Sequence, residues 1–429
     1  MFPLSDEIKA IPHSPTLWAN ELVWKKRANG DTVYHMGFGE SPFPVPERLE
    51  KALAAYAGRK EYMPAAGHPD VLEAIRSYYK PLLGNYMDHC DLIIAPGSKL
   101  ILFALQAAIK GDLIIPAPSW VSYAPQARLL KQQVTTFPPD KDDQGAHGYR
   151  ITAELLDKAI SNARKNGQTP TKIILNTPNN PSGMTIADAD MADIATLCEQ
   201  ENLFIISDEI YGLLSFDGCY RSFSQYAPTH TAVSTGLSKH LSLGGWRFGV
   251  GMIPKAATGL YDALCRYISE TWSCAPAPVQ LAAAEAYKNH PDIEKHIKDC
   301  TAIHAAMNTY IAKSFREIGI KCPPPQGAFY NYPDFSPYRE ALHAKGIRTS
   351  DDLHKILLES YHVATLPGTA FGAAPDILTL RISGCDYDGQ KVLKAYQEGA
   401  SLTADFIHIY APQIPAALGQ MEKFVTDIS

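Results

Sequence analysis

No Cys-x-x-Cys pair occurs in this sequence, and its eight cysteines lie scattered between Cys90 and Cys385. That spacing excludes a thiol-rich zinc site, supplies no other metal centre and does not read as a disulfide framework. Separately placed, reduced thiols fit a cytoplasmic setting. No uninterrupted apolar run reaches the roughly 18 residues that a membrane-spanning helix needs. The opening residues lack the basic-then-apolar order of a secretory signal. An excess of one charge is missing too. With 39 basic and 45 acidic side chains the formal charge is −6, which leaves no basic footprint for nucleic acid. Repeats and low-complexity tracts are absent. Gly37-Phe-Gly39 starts like a dinucleotide fingerprint, but the third glycine is lacking and Pro42 follows, so NAD binding is not supported. What is present is ample apolar material, 46% hydrophobic against 20% charged residues, enough for a large core. A length of 429 residues predicts two or three folding units.

Short apolar runs alternate with helix-length segments. Leu92–Ala95, Leu113–Ile115, Lys172–Leu175, Leu203–Ile206, Thr231–Ser234 and Phe248–Ile253 are continuously apolar rather than alternating, as strands covered on both faces should be. Ser98–Lys110 is apolar on nearly every side and predicts a buried helix. Strand–helix alternation predicts an α/β domain with a mostly parallel sheet. From about His290 the character changes. An amphipathic helix over Ile293–Ile318, a bend at Pro323–Pro325, shorter mixed elements and a helical tail around Gln390–Ile409 predict a smaller α+β domain. The division expected is 43–289 for the large α/β domain, with 1–42 and 290–429 forming the small one.

Lys239 stands where chemistry is expected. It follows an apolar strand in a stretch dense in small residues, Ser234-Thr-Gly-Leu-Ser-Lys239-His-Leu-Ser-Leu-Gly-Gly-Trp-Arg247. A lysine walled by apolar side chains has its ammonium form disfavoured and can act as a nucleophile or Schiff-base donor. Alone, it would read as a solvated loop lysine. Its neighbours decide otherwise. Asn176-Thr-Pro-Asn-Asn180-Pro-Ser-Gly183 and Ser207-Asp208-Glu-Ile-Tyr211 each leave a predicted strand, at the carboxyl ends where parallel sheets bind ligands. Ala95-Pro-Gly97-Ser98-Lys99 opens the buried helix, whose N-terminus is a ready anion site.

Together these segments resemble, in order and over nearly the whole chain, the class I and II aminotransferases of pyridoxal-phosphate (PLP) fold type I, of the aspartate aminotransferase kind. The signature is Gly236-Leu-Ser-Lys239 followed by Gly245-Trp-Arg247-x-Gly249, with Phe248 where the family usually has an aliphatic residue. The resemblance implies a large domain with a mostly parallel, seven-stranded sheet between helices. It also implies PLP as cofactor and a set of roles. Lys239 would form the Schiff base and then shuttle a proton, which requires a depressed pKa. Asp208 would hold the pyridine nitrogen protonated, making the ring an electron sink. Tyr211 and Asn180 would bond the phenolic oxygen. Gly97, Ser98 and Arg247 would take the phosphate, and Lys99 adjoins them. Gly236 stands where the family often has a hydroxyl, so Ser238 is the substitute. Trp120, in Pro118-Ser-Trp120, would stack on the pyridine face. Tyr62, in Glu61-Tyr62-Met-Pro-Ala-Ala-Gly67, would reach the neighbouring subunit's phosphate, implying a homodimer with shared active sites.

Arg381, in Leu380-Arg-Ile-Ser383, would grip the substrate α-carboxylate as a planar fork, although by itself it reads equally as a surface arginine. Met36-Gly-Phe-Gly39-Glu-Ser-Pro42 resembles the loop whose backbone closes over the substrate. The implied reaction is amino transfer between an L-amino acid and a 2-oxo acid. Two features point to dicarboxylates such as aspartate and glutamate. Lys99 and the Ser14-Pro-Thr16 segment resemble positions that grip a distal carboxylate, though Lys99 reads equally as a solvated first-turn lysine. The alternative is a carbon–sulfur β-lyase on the same scaffold, which would use the same cofactor residues. A PLP-binding transcription regulator would carry a DNA-binding domain in front. The short segment before Gly37 shows no helix-turn-helix pattern and no basic patch.

Overall fold

The computed structural model describes residues 2–11, 15–140 and 150–429. Seven strands form one sheet. Across it lie, in order, Cys90–Ala95, Gly249–Pro254, Thr231–Gly236, Phe204–Asp208, Pro170–Asn176, Asp112–Pro116 and Val134–Phe137. Gly249–Pro254 runs antiparallel to both neighbours, while the next five strands pair in parallel. Thr231–Gly236 and Gly249–Pro254 are buried at every position. This is the burial that continuous apolar runs predict when helices cover both faces of a sheet.

All six expected strands are present. The seventh strand of the expected seven-stranded sheet, Val134–Phe137, was not located by the apolar pattern: only Phe137 among its four residues is buried, as befits an edge strand. The buried helix runs over Ser98–Ala108, with Ile101, Leu102, Ala104 and Leu105 in the core. Its far end is held by Lys172, a fully buried residue whose Nζ donates to the carbonyls of Ile109 at 2.7 Å and Gly111 at 2.6 Å.

A helix of 27 residues, Pro291–Glu317, spans two cores. Ile293 and Ile297 pack with the large sheet's outer helices. Cys300, Ile303, Met307, Ile311 and Phe315 belong to a second core, which also takes in Met36 and Phe43 from the front of the chain and extends to Ile428. Tyr34–His35 pairs in parallel with Val363–Ala364. Leu380–Ser383 lies antiparallel between Leu366–Pro367 and Tyr330–Asn331.

The expected helical tail around Gln390–Ile409 is corrected. Gly399 takes φ +100° and ends one helix, Gly389–Gln397. Thr403 then caps Ala404–Tyr410 by accepting from the Phe406 amide. A further helix, Gln413–Ile428, follows and buries Ile414, Leu418, Met421 and Phe424. Among the described residues no helix is long and apolar enough to cross a membrane, and no group of three or more His, Cys, Asp or Glu could hold a metal. All eight cysteines are free thiols.

Candidate active site

Topology brings the expected residues to one edge of the sheet. Trp120, Asn180, Asp208 and Lys239 each follow or end a parallel strand, and Gly97 follows Cys90–Ala95, which runs in the same direction. Arg247 precedes the antiparallel strand Gly249–Pro254 and so emerges at the same edge. Gly97 has φ +96°, and a β-carbon there would collide with the Arg247 guanidinium. One at Gly249 would collide with the Ser98 amide. Two missing side chains thus let an arginine fork lie against the start of the Ser98–Ala108 helix, which no side chain caps. The guanidinium donates only to carbonyls here, Gly244 at 3.0 Å and Pro96 at 3.4 Å. Uncapped amides, a helix dipole and an unneutralised arginine make an anion cradle. Lys99 is exposed, but its ammonium lies 5.1 Å above the Trp120 ring. Partial desolvation, then the Arg247 charge, lower its pKa.

Asp208 is buried, and burial pushes its carboxyl up to about 6 against the pull of its hydrogen bonds. Oδ2 accepts from the Tyr123 hydroxyl at 2.5 Å and Oδ1 from the Ile210 amide at 3.3 Å. Asn176 clamps the two motif loops together. Its Nδ2 donates to the Asp208 carbonyl and its Oδ1 accepts from the Asn180 amide, both at 2.7 Å. The Tyr211 hydroxyl meets that of Tyr330 at 2.8 Å and accepts from Asn180 Nδ2 at 3.5 Å. Lys239 Nζ donates to the Gly39 carbonyl at 2.8 Å and lies 5.6 Å from the ring centre of Phe329 and 5.7 Å from that of Tyr211. Burial first, then the charge of Arg381, brings this lysine down to about 8.

Arg381 is 1% exposed, so the surface reading is excluded. Pairing of Leu380–Ser383 between two strands carries it inward. Nη1 donates to Asn180 Oδ1 at 3.1 Å and Nη2 to the Gly37 carbonyl at 2.6 Å, while Nε has no partner. Tyr330 and Phe371 flank the guanidinium, 4.6 and 5.0 Å from their ring centres. An unpartnered donor on a buried cation is a site shaped for an anionic acceptor. Beside it opens a groove of about 1,090 Å³ whose lining includes Lys99, Ser119, Trp120, Asp351, His354 and Phe371.

Some expected residues stand apart. Tyr62 is 90% exposed. Ser238 is half-buried beside Lys239. Ser14 lies outside the described residues, and Thr16 enters only through the backbone of Pro15–Ala28. A side chain at Gly236 would lie 2.5 Å from the Phe248 carbonyl, which explains why no hydroxyl stands there. Phe248 itself is fully buried and packs against Tyr287. The sequence reading missed Tyr123, Tyr330 and Phe329. The one signal for Tyr123 was its place three residues after Trp120; the rings meet edge to face at 5.3 Å.

The family described as aminotransferase class I and II matches residues 32–397. An aspartate aminotransferase of Bacillus sp. strain YM-2 is 31% identical over 391 residues, 89% of this chain and 94% of that protein. An asparagine–oxo-acid transaminase of Streptococcus mutans is 29% identical over 399 residues, covering 89% and 97%. Among solved structures, the Thermus thermophilus aspartate aminotransferase with maleate superposes with a TM-score of 0.82 at 25% identity, over 99% of this chain and all of that one.

Proposed function

This chain belongs to the class I and II aminotransferases, pyridoxal-phosphate enzymes that pass an amino group between amino acids and 2-oxo acids, and from that premise we propose which side chains carry out each task and for which substrates. Gly97, Ser98 and Arg247 hold the cofactor phosphate, with the Ser238 hydroxyl and Lys99 beside them. Asp208 receives the ring nitrogen. Tyr211 and Asn180 hydrogen-bond the phenolic oxygen, and Trp120 lies against the ring face. The fit rests on the uncapped helix start, the glycine cradle and the free lone pairs of a buried Asp208. When bound, the cofactor supplies an electrophilic carbon and an electron-withdrawing ring.

Lys239 provides the amine for covalent attachment and, once released, carries a proton at Nζ. A pKa of about 8 keeps a useful share of its neutral form near neutral pH. Attachment would require Nζ to give up the Gly39 carbonyl, and release would leave it free to donate there again. Arg381 grips the α-carboxylate through its unpartnered Nε and rearranged Nη groups. The Tyr330 and Phe371 rings packed on the guanidinium fix its orientation and exclude water.

The substrates proposed are aspartate- and glutamate-type dicarboxylates. The observation that carries this is the Lys99 ammonium, poised over Trp120 where the groove opens. The chain divides into 43–289 and the pair 1–42 with 290–429, a division supported by the second core's use of Met36. The partner proposed is a second copy of the chain, a reading supported by the exposed Tyr62, whose segment suits a partner's phosphate. The separately placed free cysteines suit a cytoplasmic location. The test is a half-reaction. The PLP-loaded enzyme mixed with aspartate should convert to its pyridoxamine form and be reversed by 2-oxoglutarate. Release of pyruvate and ammonia from cysteine-type substrates without that conversion would favour β-elimination. Lys99→Ala should weaken aspartate and glutamate at least tenfold more than alanine; an equal effect on all three would remove the dicarboxylate reading.

A further inference from the structure

We propose that Tyr123 is a positioning residue for amino transfer: its hydroxyl fixes Asp208 as an anion facing the cofactor ring, and so keeps the shared proton on the ring nitrogen. This rests on Asp208 receiving that nitrogen. The hydroxyl donates to Oδ2 at 2.5 Å, at the short end for a bond to an ionised acceptor. Both groups are buried, 1% exposed for Tyr123 and 4% for Asp208, so water does not substitute for either. Tyr123 begins the helix Tyr123–Leu129, and its ring meets Trp120 edge to face. One residue therefore ties the ring-stacking position to the ring-nitrogen partner.

The surroundings of Asp208 make the bond matter. Burial raises its pKa, and Tyr123 is the largest influence opposing that rise, ahead of the Ile210 amide and the Lys239 charge. Behind it, Glu209 accepts from Ser207 and Ser222 and is itself raised to about 7, so it carries only about half a negative charge at neutral pH. Tyr211 faces the same carboxylate, and burial keeps its hydroxyl protonated. Without the Tyr123 hydroxyl, Asp208 becomes the better base and takes the proton from the ring nitrogen, weakening the ring's pull on electrons.

Tyr123→Phe removes only the oxygen, so the packing against Trp120 is kept. Loaded with PLP labelled with nitrogen-15 in the ring, the variant should show the ring-nitrogen resonance moved towards the unprotonated position. It should also lose kcat at least tenfold with little change in KM. A bond to a charged acceptor of this kind corresponds to a tenfold or larger change in the proton equilibrium. Asp208→Asn serves as the reference and should move the resonance further. If Asp208→Asn moves it and Tyr123→Phe leaves both resonance and kcat at wild-type values, the proposal is overturned. If Asp208→Asn leaves the resonance unmoved, the assignment of Asp208 fails and the proposal with it.

Discussion

Replacing Arg381 by lysine keeps the positive charge and removes the fork, which makes it the sharpest probe of substrate recognition. The guanidinium now offers Nη1 to Asn180, Nη2 to the Gly37 carbonyl and an unpartnered Nε to the substrate side. A lysine ammonium is compact and cannot span those acceptors and a carboxylate in one plane. At least one charge-assisted hydrogen bond is lost, worth about 1.5–3 kcal/mol. With tenfold in rate for about 1.4 kcal/mol, kcat/KM for an L-amino acid should fall roughly 10- to 150-fold. The control is an amine of the same side chain without the α-carboxylate. Its slow reaction in the wild type should be unchanged by Arg381→Lys, because the lost bond has no partner there. Steady-state kinetics on both compounds, with melting temperatures to confirm folding, make the comparison. Equal losses for both would mean that Arg381 supports the site through Tyr330 and Phe371 rather than by binding carboxylate.

Three further outcomes follow from the same geometry. Lys239 falls from 10.5 unfolded to about 8 folded, so its ammonium is buried at a cost below pH 8, and that cost disappears as pH rises towards 10.5. Cofactor-free wild type should therefore gain roughly 3 kcal/mol relative to the Lys239→Met variant as pH rises from 8 to 10.5; thermal melts of the two proteins that keep a constant gap over that range would refute this. Gly97→Ala forces a β-carbon into the Arg247 guanidinium at φ +96°, and strain of about 1–2 kcal/mol should be joined by at least tenfold weaker PLP retention on dialysis. Unchanged retention would show that Arg247 moves aside freely. Lys172→Met leaves the Ile109 and Gly111 carbonyls unpaired and should cost about 1–3 kcal/mol in denaturant unfolding, with a melting temperature lowered by several degrees. A variant as stable as wild type would mean that water replaces the ammonium.

The site was legible where chemistry sits on the strand that carries it. Asn180, Asp208 and Lys239 each follow a continuously apolar run, and an apolar run covered on both faces can only end at an edge of the sheet. Arg381 was half legible. Its place in Leu380-Arg-Ile-Ser383 was marked by the family resemblance, but its burial depends on Leu366–Pro367 and Tyr330–Asn331 closing on both sides, and nothing local records those pairings. The same reason hid Tyr123 and Tyr330. Each is an aromatic in an apolar neighbourhood, indistinguishable from core until a carboxylate 85 positions away, or a hydroxyl 119 away, is brought against its oxygen. The Val134–Phe137 strand escaped for a different cause: at the sheet edge only Phe137 of its four residues is buried, so the continuous apolar run that marks an inner strand is missing. The cofactor's covalent anchor and ring partners thus lie within reach of local pattern, whereas the groups that hold those partners in their working protonation state are set by tertiary approach alone. Specificity belongs with the second kind, because Lys99 acquires a meaning different from any first-turn lysine only when Trp120, from another strand end, comes to lie beneath its ammonium.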